Sequence, residues 1–238
     1  MEYIKTKKYN IDIINDKIMG QNPLKLEEEL LKDNKIKPNG IVMDLGSGLG
    51  ITSVFLVKEY GFKVYTTDLW SDKEENRKFF TEMGLTNEEI IPVKADATDL
   101  RFDKNFFDAV ISTDSYNYFG RDEKYLDEKL LPFVKKGGYI YITVPGMKRD
   151  CHNDIPEELL LSWNKEQLDY IHDIYYWKNI VSKSNDSEIV SIYEMEGNEE
   201  CWNDWIKCDN EYSRNDKKAI EAGALKYLNF IAIILRKK

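Results

Sequence analysis

Short apolar runs alternate with helical patterns along most of this chain. The apolar runs predict strands over residues 41–44, 63–67, 90–94, 107–113, 139–145, 188–194 and 229–235. Apolar positions at helical spacing predict helices over 24–32, 51–60, 122–134, 164–181 and 215–227. Strands that alternate with helices indicate βαβ units, and therefore an α/β protein with a parallel sheet.

The junction between the first strand and the helix at 51–60 is rich in glycine. Asp44 ends the strand, and Gly46, Gly48 and Gly50 follow at every second position. Glycine allows a sharp turn and a close backbone approach to a ligand, and the next helix points free N–H groups into the loop. The dinucleotide pattern G-x-G-x-x-G/A matches poorly, because Ile51 takes the third small position.

Acidic residues follow the next two strands. Asp68 ends the second strand about 20 residues after the loop, where a carboxylate can accept hydrogen bonds from a ribose diol. Leu69 and Trp70 come next and are suited to pack against an adenine face. Asp96 follows the third strand, and it is either a ligand residue or the cap of a short helix.

The run D-x-G-x-G-x-G at residues 44–50 resembles motif I of the class I S-adenosylmethionine (SAM)-dependent methyltransferases. The run Leu-x-Pro-x-Val-Lys-x-Gly-Gly at 130–138 is a second hallmark of that family. The resemblance implies a Rossmann-like, seven-stranded, mostly parallel sheet with an antiparallel last strand and helices on both faces. It implies a single domain with an N-terminal helical lid (1–37), a cofactor core (38–145) and a substrate side (146–238), which carries a helical insert at about 196–226.

The same resemblance assigns candidate residues to the site. It implies that the Asp96 side chain and the Ala97 backbone bind adenine, and that the other cofactor-binding residues are Asp44, Gly46, Ser47, Gly48, Asp68, Leu69 and Thr113. Ligands of open α/β sheets lie beyond the carboxyl ends of the strands, so the segment after the fourth strand faces the reaction. Asp114, Tyr116 and Tyr118 are therefore the candidate catalytic residues.

Several aromatic residues outside the core motifs allow two interpretations. Trp202 and Trp205 share one face of a helix and either dock the insert or form a substrate roof. Tyr3 and Tyr9 either pack on the body or belong to the lid, as in the cyclopropane-synthase-like branch of the family.

Composition narrows the possible partners of the 238-residue chain. A net charge of −9 argues against a nucleic-acid binder, since such proteins usually present a basic face. No apolar run is long enough to span a bilayer, and the first residues lack the apolar region of a signal peptide, so we expect a cytoplasmic protein. Three separated cysteines (Cys151, Cys201 and Cys208) and two histidines predict neither a disulfide framework nor a metal site.

The sequence thus favours a SAM-dependent methyltransferase that acts on a small molecule, by N- or O-methylation, and releases S-adenosyl-L-homocysteine. RNA or protein methylation, cyclopropane-fatty-acid synthesis and non-catalytic SAM binding are the alternatives. The sequence identifies neither the acceptor nor the oligomeric state.

Overall fold

The structure is a computed structural model that describes residues 2–10 and 14–238. The described residues form an eight-stranded sheet in the order β3-β2-β1-β4-β5-β8-β7, and β6 pairs with β5 beside this path. The strands are β1 (Ile41–Leu45), β2 (Lys63–Asp68), β3 (Ile90–Lys94), β4 (Phe107–Thr113), β5 (Val134–Met147), β6 (His172–Asp173), β7 (Ser187–Glu194) and β8 (Leu228–Lys237).

The first five strands are parallel, and β8 runs antiparallel between β5 and β7. This arrangement confirms the Rossmann-like fold class and the antiparallel last strand. The two-residue strand β6, which pairs with Gly146 and Met147, is an addition to the seven predicted strands.

Helices cover both faces of the sheet. They are α1 (Pro23–Leu30), α2 (Ile51–Tyr60), α3 (Lys73–Glu82), α4 (Glu157–Leu160), α5 (Lys165–Leu168), α6 (Ile174–Val181), α7 (Asn198–Trp205) and α8 (Glu211–Glu221). Alternate residues of a strand point to opposite faces, so β1 contributes to two cores. Val42 packs in the core with α2, whereas Met43 and Leu45 pack in the core on the other face.

The helix predicted over 122–134 is present only over residues 126–133, and it is not a regular α-helix. Leu126–Leu130 forms a wider π-helical turn, and Leu131–Phe133 forms a 3₁₀ turn. Pro132 explains the change, because its ring lacks an N–H and collides with the carbonyl four residues earlier in a regular helix. Residues 135–138, which precede the predicted strand, are also part of the sheet, because β5 begins at Val134 and is longer than predicted.

The predicted helix over 164–181 is two helices. Asn164 caps α5 in a capping box with Gln167, and Asp173 caps α6 by accepting a hydrogen bond from the Tyr176 N–H at 2.9 Å. The pairing of β6 with β5 separates them. The helix predicted over 215–227 begins earlier, at Glu211, because Asn210 caps it, and it ends before Gly223, whose φ is +102°.

Candidate active site at the carboxyl edge of the sheet

The glycine loop between β1 and α2 adopts the left-handed conformation that glycine tolerates. Gly46, Gly48 and Gly50 have φ values of +78°, +53° and +84°. A Cβ on Gly46 would lie 2.2 Å from the Ser115 Oγ, whereas a Cβ on Gly48 would meet no protein atom within 4 Å. The loop therefore presses against the segment after β4 at Gly46 and leaves open space at Gly48.

The Asp68 carboxylate ties the end of β2 to this loop. One oxygen accepts a hydrogen bond from the Gly48 N–H at 3.0 Å. The other accepts from the Trp70 and Ser71 N–H groups at 2.8 and 2.9 Å. Asp68 thus lies at the carboxyl edge of the sheet with its position set by three backbone amides.

Two neighbouring cavities open along this edge. The larger, about 540 Å³, lies between the glycine loop, the end of β2 and the segments after β3 and β4. The smaller, about 100 Å³, lies between the glycine loop and residues 17–23. Asp114 lines both cavities, so it marks their junction. The larger volume is in the range of sites for small molecules and cofactors.

Most of the residues expected at the site line these cavities. The larger cavity is lined by Gly46, Gly48, Asp68, Leu69, Ala97, Asp114 and Tyr118 from the predicted set. The smaller cavity is lined by Gly46, Ser47, Gly48, Thr113 and Asp114. Three residues of the predicted set, Asp44, Asp96 and Tyr116, line neither cavity.

Asp44 lies behind the glycine loop. Its buried carboxyl accepts hydrogen bonds from the Thr52 and Ser53 hydroxyls, each at 2.6 Å. Burial raises the pKa of Asp44 to about 6, and the two hydroxyl hydrogen bonds oppose that rise. This geometry favours a role in joining β1 to the first turn of α2, because the carboxyl does not reach the cavity.

Asp96 forms a local turn. Its carboxylate accepts hydrogen bonds from the Thr98 N–H and the Thr98 hydroxyl, both at 2.7 Å, and the backbone hydrogen bond is the main cause of its lowered pKa. Asp96 is exposed, whereas its neighbour Ala97 lines the larger cavity. In this conformation the Asp96 carboxylate serves a turn, and no short helix follows it for the side chain to cap.

The two candidate tyrosines have opposite environments. Tyr116 is 1% exposed and packs against Phe119, Tyr125 and Trp177 in the core. Tyr118 is 66% exposed and lines the larger cavity. The 3₁₀ turn over Tyr116–Tyr118 explains the contrast, because it rotates residues two positions apart onto different sides.

Asp114 has the most unusual environment of the predicted residues. Its φ of +55° is uncommon for a residue with a side chain. Its N–H donates to the Thr143 carbonyl at 2.9 Å, and a Cβ on Gly20 would lie 2.7 Å from its Oδ2 atom. Burial, and then the charge of Asp216, raise the pKa of Asp114 to about 7.

Several residues around the site lie in the segment 1–37, expected as a lid, but were not named individually from the sequence. Residues 17–21 and Pro23 line the smaller cavity, so the segment before α1 covers the glycine loop. Tyr3 and Tyr9 line neither of these two cavities; Tyr9 packs edge-on against Phe55. Asn22, which caps α1, was the available signal that a helix begins beside this segment.

The insert supplies a second unpredicted group. Asp216 on α8 accepts a hydrogen bond from the Trp205 Nε1 at 2.9 Å. Trp202 and Trp205 are both buried, which favours the docking interpretation of this pair. No local motif marks Asp216, because its hydrogen bond with Trp205 forms only when the insert folds.

The residues of the larger cavity fit an adenosyl group. The open space at Gly48 admits a ligand close to the backbone, and Asp68 offers a carboxylate beside it. Leu69, Trp70, Ala95, Ala97 and Phe119 add apolar walls suited to a purine. Among residues 2–10 and 14–238, no group of His, Cys, Asp and Glu is arranged to hold a metal ion, and no helix is long and apolar enough to cross a membrane.

Comparisons with known proteins identify related sequences. Residues 43–142 match a family model described as a methyltransferase domain. A sarcosine/dimethylglycine N-methyltransferase of Halorhodospira halochloris is 29% identical over 127 residues, which cover 53% of this chain and 45% of the relative's own length. A phosphoethanolamine N-methyltransferase of Plasmodium falciparum is 22% identical over 214 residues, covering 87% of this chain and 74% of the relative.

A solved structure supports the same fold. Phosphoethanolamine N-methyltransferase 2 of Haemonchus contortus, in complex with phosphomonomethylethanolamine and S-adenosylhomocysteine, superposes with a TM-score of 0.71 at 15% identity. The match covers 99% of this chain and 59% of that one. The chain thus contains a segment, residues 43–142, that matches a methyltransferase domain, and it shares its fold with this solved structure.

Proposed function

We propose that this protein transfers a methyl group from SAM to a small-molecule amine. The observation that carries the proposal is the position of Asp114, a carboxyl with a raised pKa at the junction of the two cavities. The N-methyltransferases among the matched relatives support an amine as the acceptor class.

The cofactor-binding residues of the proposal are those around the two cavities. Asp68 would accept hydrogen bonds from the ribose hydroxyls, and Leu69 and Ala97 would flank the adenine. Ser47 and Thr113, which line the smaller cavity, are suited to the polar tail of the cofactor. The Ser47 hydroxyl is buried without a hydrogen-bond partner in the protein, as expected of a group that binds a ligand.

Bound SAM would supply an electrophilic methyl group on a sulfonium. The protein then has to orient the acceptor, exclude water and accept a proton. An alkylammonium resembles the lysine side chain, whose pKa is about 10.4, and a carboxylate with a pKa near 7 can accept its proton at moderate cost. An alcohol is close to water, whose pKa is about 15.7, and is a far poorer proton donor to such a group. Asp114 therefore favours N-methylation over O-methylation.

The alternatives fit the structure less well. A net charge of −9 argues against an RNA substrate, because RNA-binding proteins contact the phosphates through basic side chains. Trp70 and Tyr118 line the larger cavity and are both exposed, so a small acceptor can reach the cavity beside them. A non-catalytic SAM-binding protein would share the cofactor residues, so turnover is the measurement that separates it from an enzyme.

The test combines binding with turnover. Calorimetric titration should give micromolar binding of SAM and S-adenosylhomocysteine and no response to NAD. Transfer of a labelled methyl group to a panel of small amines should then depend on Asp114. The variant Asp114→Asn should lower kcat and leave the affinity for S-adenosylhomocysteine unchanged. Cofactor binding without transfer to any amine, alcohol or thiol in the panel would favour the non-catalytic alternative.

A further inference from the structure

Three consecutive glutamates of α1 are buried: Glu27, Glu28 and Glu29 are 0%, 6% and 1% exposed. Glu28 accepts hydrogen bonds from the N–H and the hydroxyl of Thr6, each at 2.7 Å, and so holds the N-terminal segment. Glu29 accepts from two backbone N–H groups at the start of the insert, at 2.7 and 3.0 Å. These two carboxyls thus have structural contacts that explain their burial.

The Glu27 carboxyl lacks such a set of donors. Its Oε1 atom accepts one long hydrogen bond, from the Thr113 hydroxyl at 3.3 Å, and its Oε2 atom is buried without a hydrogen-bond partner in the described part of the chain. No ion pair among residues 2–10 and 14–238 includes Glu27. Burial of a polar group without partners is costly, so the stability of the fold does not explain Glu27.

Thr113 connects Glu27 to the smaller cavity. Thr113 ends β4, is 7% exposed and lines that cavity, whereas Glu27 lies behind this wall and does not line it. Pro23, one helical turn before Glu27 on α1, lines the same cavity. Since the Thr113 hydroxyl gives its only proton to Glu27, it offers lone pairs to a ligand. This wall is therefore an acceptor of hydrogen bonds with a carboxyl behind it.

Another part of the same lining offers hydrogen-bond donors. The Ser47 hydroxyl lines the cavity and is buried without a partner in the protein. Ile51 and Thr52, in the first turn of α2, line the cavity as well. The first N–H groups of a helix have no acceptor within the helix and favour anions. A cavity with acceptors at Thr113 and donors at the start of α2 is complementary to the ammonium and the carboxylate of an amino acid.

The groups that influence Glu27 supply no positive charge to offset it. Burial, and then the charge of Asp44, raise the pKa of Glu27 well above the usual range, and the hydrogen bond from Thr113 opposes the rise. Burial, and then nearby carboxylates that include Glu27, raise the pKa of Tyr60. Lys5 lies over the Tyr60 ring, with its Nζ 5.0 Å from the centroid. Glu27 is therefore neutral near pH 7 without a ligand, and a cation bound at the cavity wall would favour its ionised form.

We propose that Glu27 is a positioning residue for the cofactor: acting through the Thr113 hydroxyl, it makes the smaller cavity select the α-ammonium of the amino-acid tail of SAM. This inference rests on the proposed function. It assigns the ammonium of the tail to the Thr113 wall and the carboxylate to Ser47 and the start of α2. Asp114, which lines both cavities, remains the group that faces the acceptor.

Two ligands that differ by one amino group test the proposal. S-adenosylhomocysteine carries the α-ammonium, and in its deamino analogue a hydrogen replaces the amino group. Calorimetry measures the affinity of both ligands for the wild-type protein and for Glu27→Gln at pH 7. We expect Glu27→Gln to bind S-adenosylhomocysteine at least about tenfold more weakly, a difference of about 1.4 kcal/mol, and the analogue within about twofold of the wild-type protein. The retained affinity for the analogue shows that the variant is folded.

Proton release is a second readout, and a purely structural role of Glu27 would not change it. Titration of S-adenosylhomocysteine in two buffers with different ionisation enthalpies gives the number of protons exchanged on binding. The wild-type protein should release more protons than Glu27→Gln, because the bound ammonium favours the ionised form of Glu27. Asp114 titrates in both proteins, so the difference between them isolates Glu27. The deamino analogue should give no such difference.

Two further variants test the route and its specificity. Thr113→Val removes the hydroxyl and keeps the shape of the side chain, so it should weaken S-adenosylhomocysteine binding as Glu27→Gln does. Adding Glu27→Gln to Thr113→Val should have little further effect, because both residues act on one contact. Glu28→Gln is the matched control, since Glu28 is the neighbouring buried glutamate and binds the N-terminal segment. It should keep the wild-type preference for S-adenosylhomocysteine over the analogue.

The outcomes separate this inference from the proposed function. Equal weakening of both ligands in Glu27→Gln, an unchanged preference in that variant, or additive effects of Glu27→Gln and Thr113→Val would each overturn the inference. Loss of the preference in Asp114→Asn but not in Glu27→Gln would overturn it as well, because Asp114 would then bind the ammonium. An absence of S-adenosylhomocysteine binding to the wild-type protein would instead count against the proposed function.

Discussion

The Asp68 carboxylate accepts a hydrogen bond from the Gly48 backbone N–H at 3.0 Å and so joins the end of β2 to the loop that follows β1. The two residues are neighbours because β1 and β2 are parallel and adjacent, with Leu45 opposite Thr67 in the register. This contact places a carboxylate beside the one glycine position of the loop that opens into free space.

Asp68→Ala should weaken S-adenosylhomocysteine binding by about 1.5–3 kcal/mol, the usual contribution of hydrogen bonds to a charged group. Calorimetric titration measures the change directly. The matched control is Asp72→Asn, which removes an exposed charge four positions later while asparagine still caps α3. Equal affinity in Asp68→Ala and the wild-type protein would remove Asp68 from the cofactor site.

Gly46→Ala should be far more destabilising than Gly84→Ala. Both glycines have similar φ values, +78° and +76°, so the backbone strain of an added Cβ is nearly the same, about 1 kcal/mol. The Cβ at position 46 would meet the Ser115 Oγ at 2.2 Å, whereas the Cβ at 84 meets nothing within 4 Å. Denaturant unfolding of the two variants isolates the steric part. The double variant Gly46→Ala/Ser115→Gly should recover much of the loss; no recovery would mean that Ser115 is not the obstacle.

Asp114→Asn should raise the unfolding free energy at pH 8 and lower kcat. The pKa of Asp114 is about 7 in the folded protein against a usual value of 3.8, so the folded state binds more protons than the unfolded state between these values. Stability from this residue is therefore lost as the pH rises from about 4 to 7. We expect a gain of about 2 kcal/mol in unfolding free energy at pH 8, vanishing near pH 4.

Asp96→Asn is a control for that pH series, because its effect on the unfolding free energy should have the opposite sign. Hydrogen bonds from Thr98 lower the pKa of Asp96, so its stabilising effect is present above its usual pKa and is lost on acidification. Asp96→Asn should therefore lower stability slightly at neutral pH. Parallel pH profiles for the two variants would contradict the assignment of Asp114.

Substitution by glutamine should change the unfolding free energy differently at two glutamates of α1, Glu27 and Glu29. Glu29 accepts hydrogen bonds from the Glu196 and Gly197 N–H groups at 2.7 and 3.0 Å and so fixes the start of the insert. Glu27 is 0% exposed, accepts a 3.3 Å hydrogen bond from Thr113, and leaves its other oxygen without a partner. Burial, and then the charge of Asp44, raise the pKa of Glu27 well above the usual range.

Glu29→Gln should therefore lower the unfolding free energy by about 1–3 kcal/mol, because the glutamine amide nitrogen cannot accept and one of the two N–H groups loses its acceptor. Glu27→Gln should be neutral or stabilising above pH 7, since it removes a carboxyl that has no cationic partner. Guanidinium unfolding at pH 8 measures both. Destabilisation of similar size in both variants would show that Glu27 is paired in solution.

Substitution of the two candidate tyrosines should affect different properties, the acceptor KM for Tyr118 and the stability of the fold for Tyr116. Tyr118→Phe should raise the KM for the acceptor with little effect on the melting temperature, because the side chain is exposed at the cavity mouth. Tyr116→Ala should instead destabilise the fold by about 3–5 kcal/mol, the cost of emptying a buried aromatic position. An acceptor KM unaffected by Tyr118→Phe would remove Tyr118 from the acceptor site.

The local pattern of the sequence determined most of the strands, the glycine loop and the helix that follows this loop. Strands β1 and β4 follow the apolar runs closely, because a strand that is buried on both faces needs nearly continuous apolar residues. The positions of Asp68 and Asp114 at the carboxyl edge follow as well, since parallel strands end at one edge. The helix over 51–60 was also predicted with its observed bounds.

Tertiary structure decided the features that depend on contacts distant in sequence. The pattern over 164–181 is helical by itself, yet pairing of β6 with β5 divides it. Tyr116 and Tyr118 look equivalent in the sequence, and only the packing of a short turn sends one into the core and the other to the cavity. The position of Asp216 also depends on tertiary structure, because a hydrogen bond from Trp205 holds its carboxylate and Trp205 is buried together with Trp202. No periodicity within a segment encodes such packing.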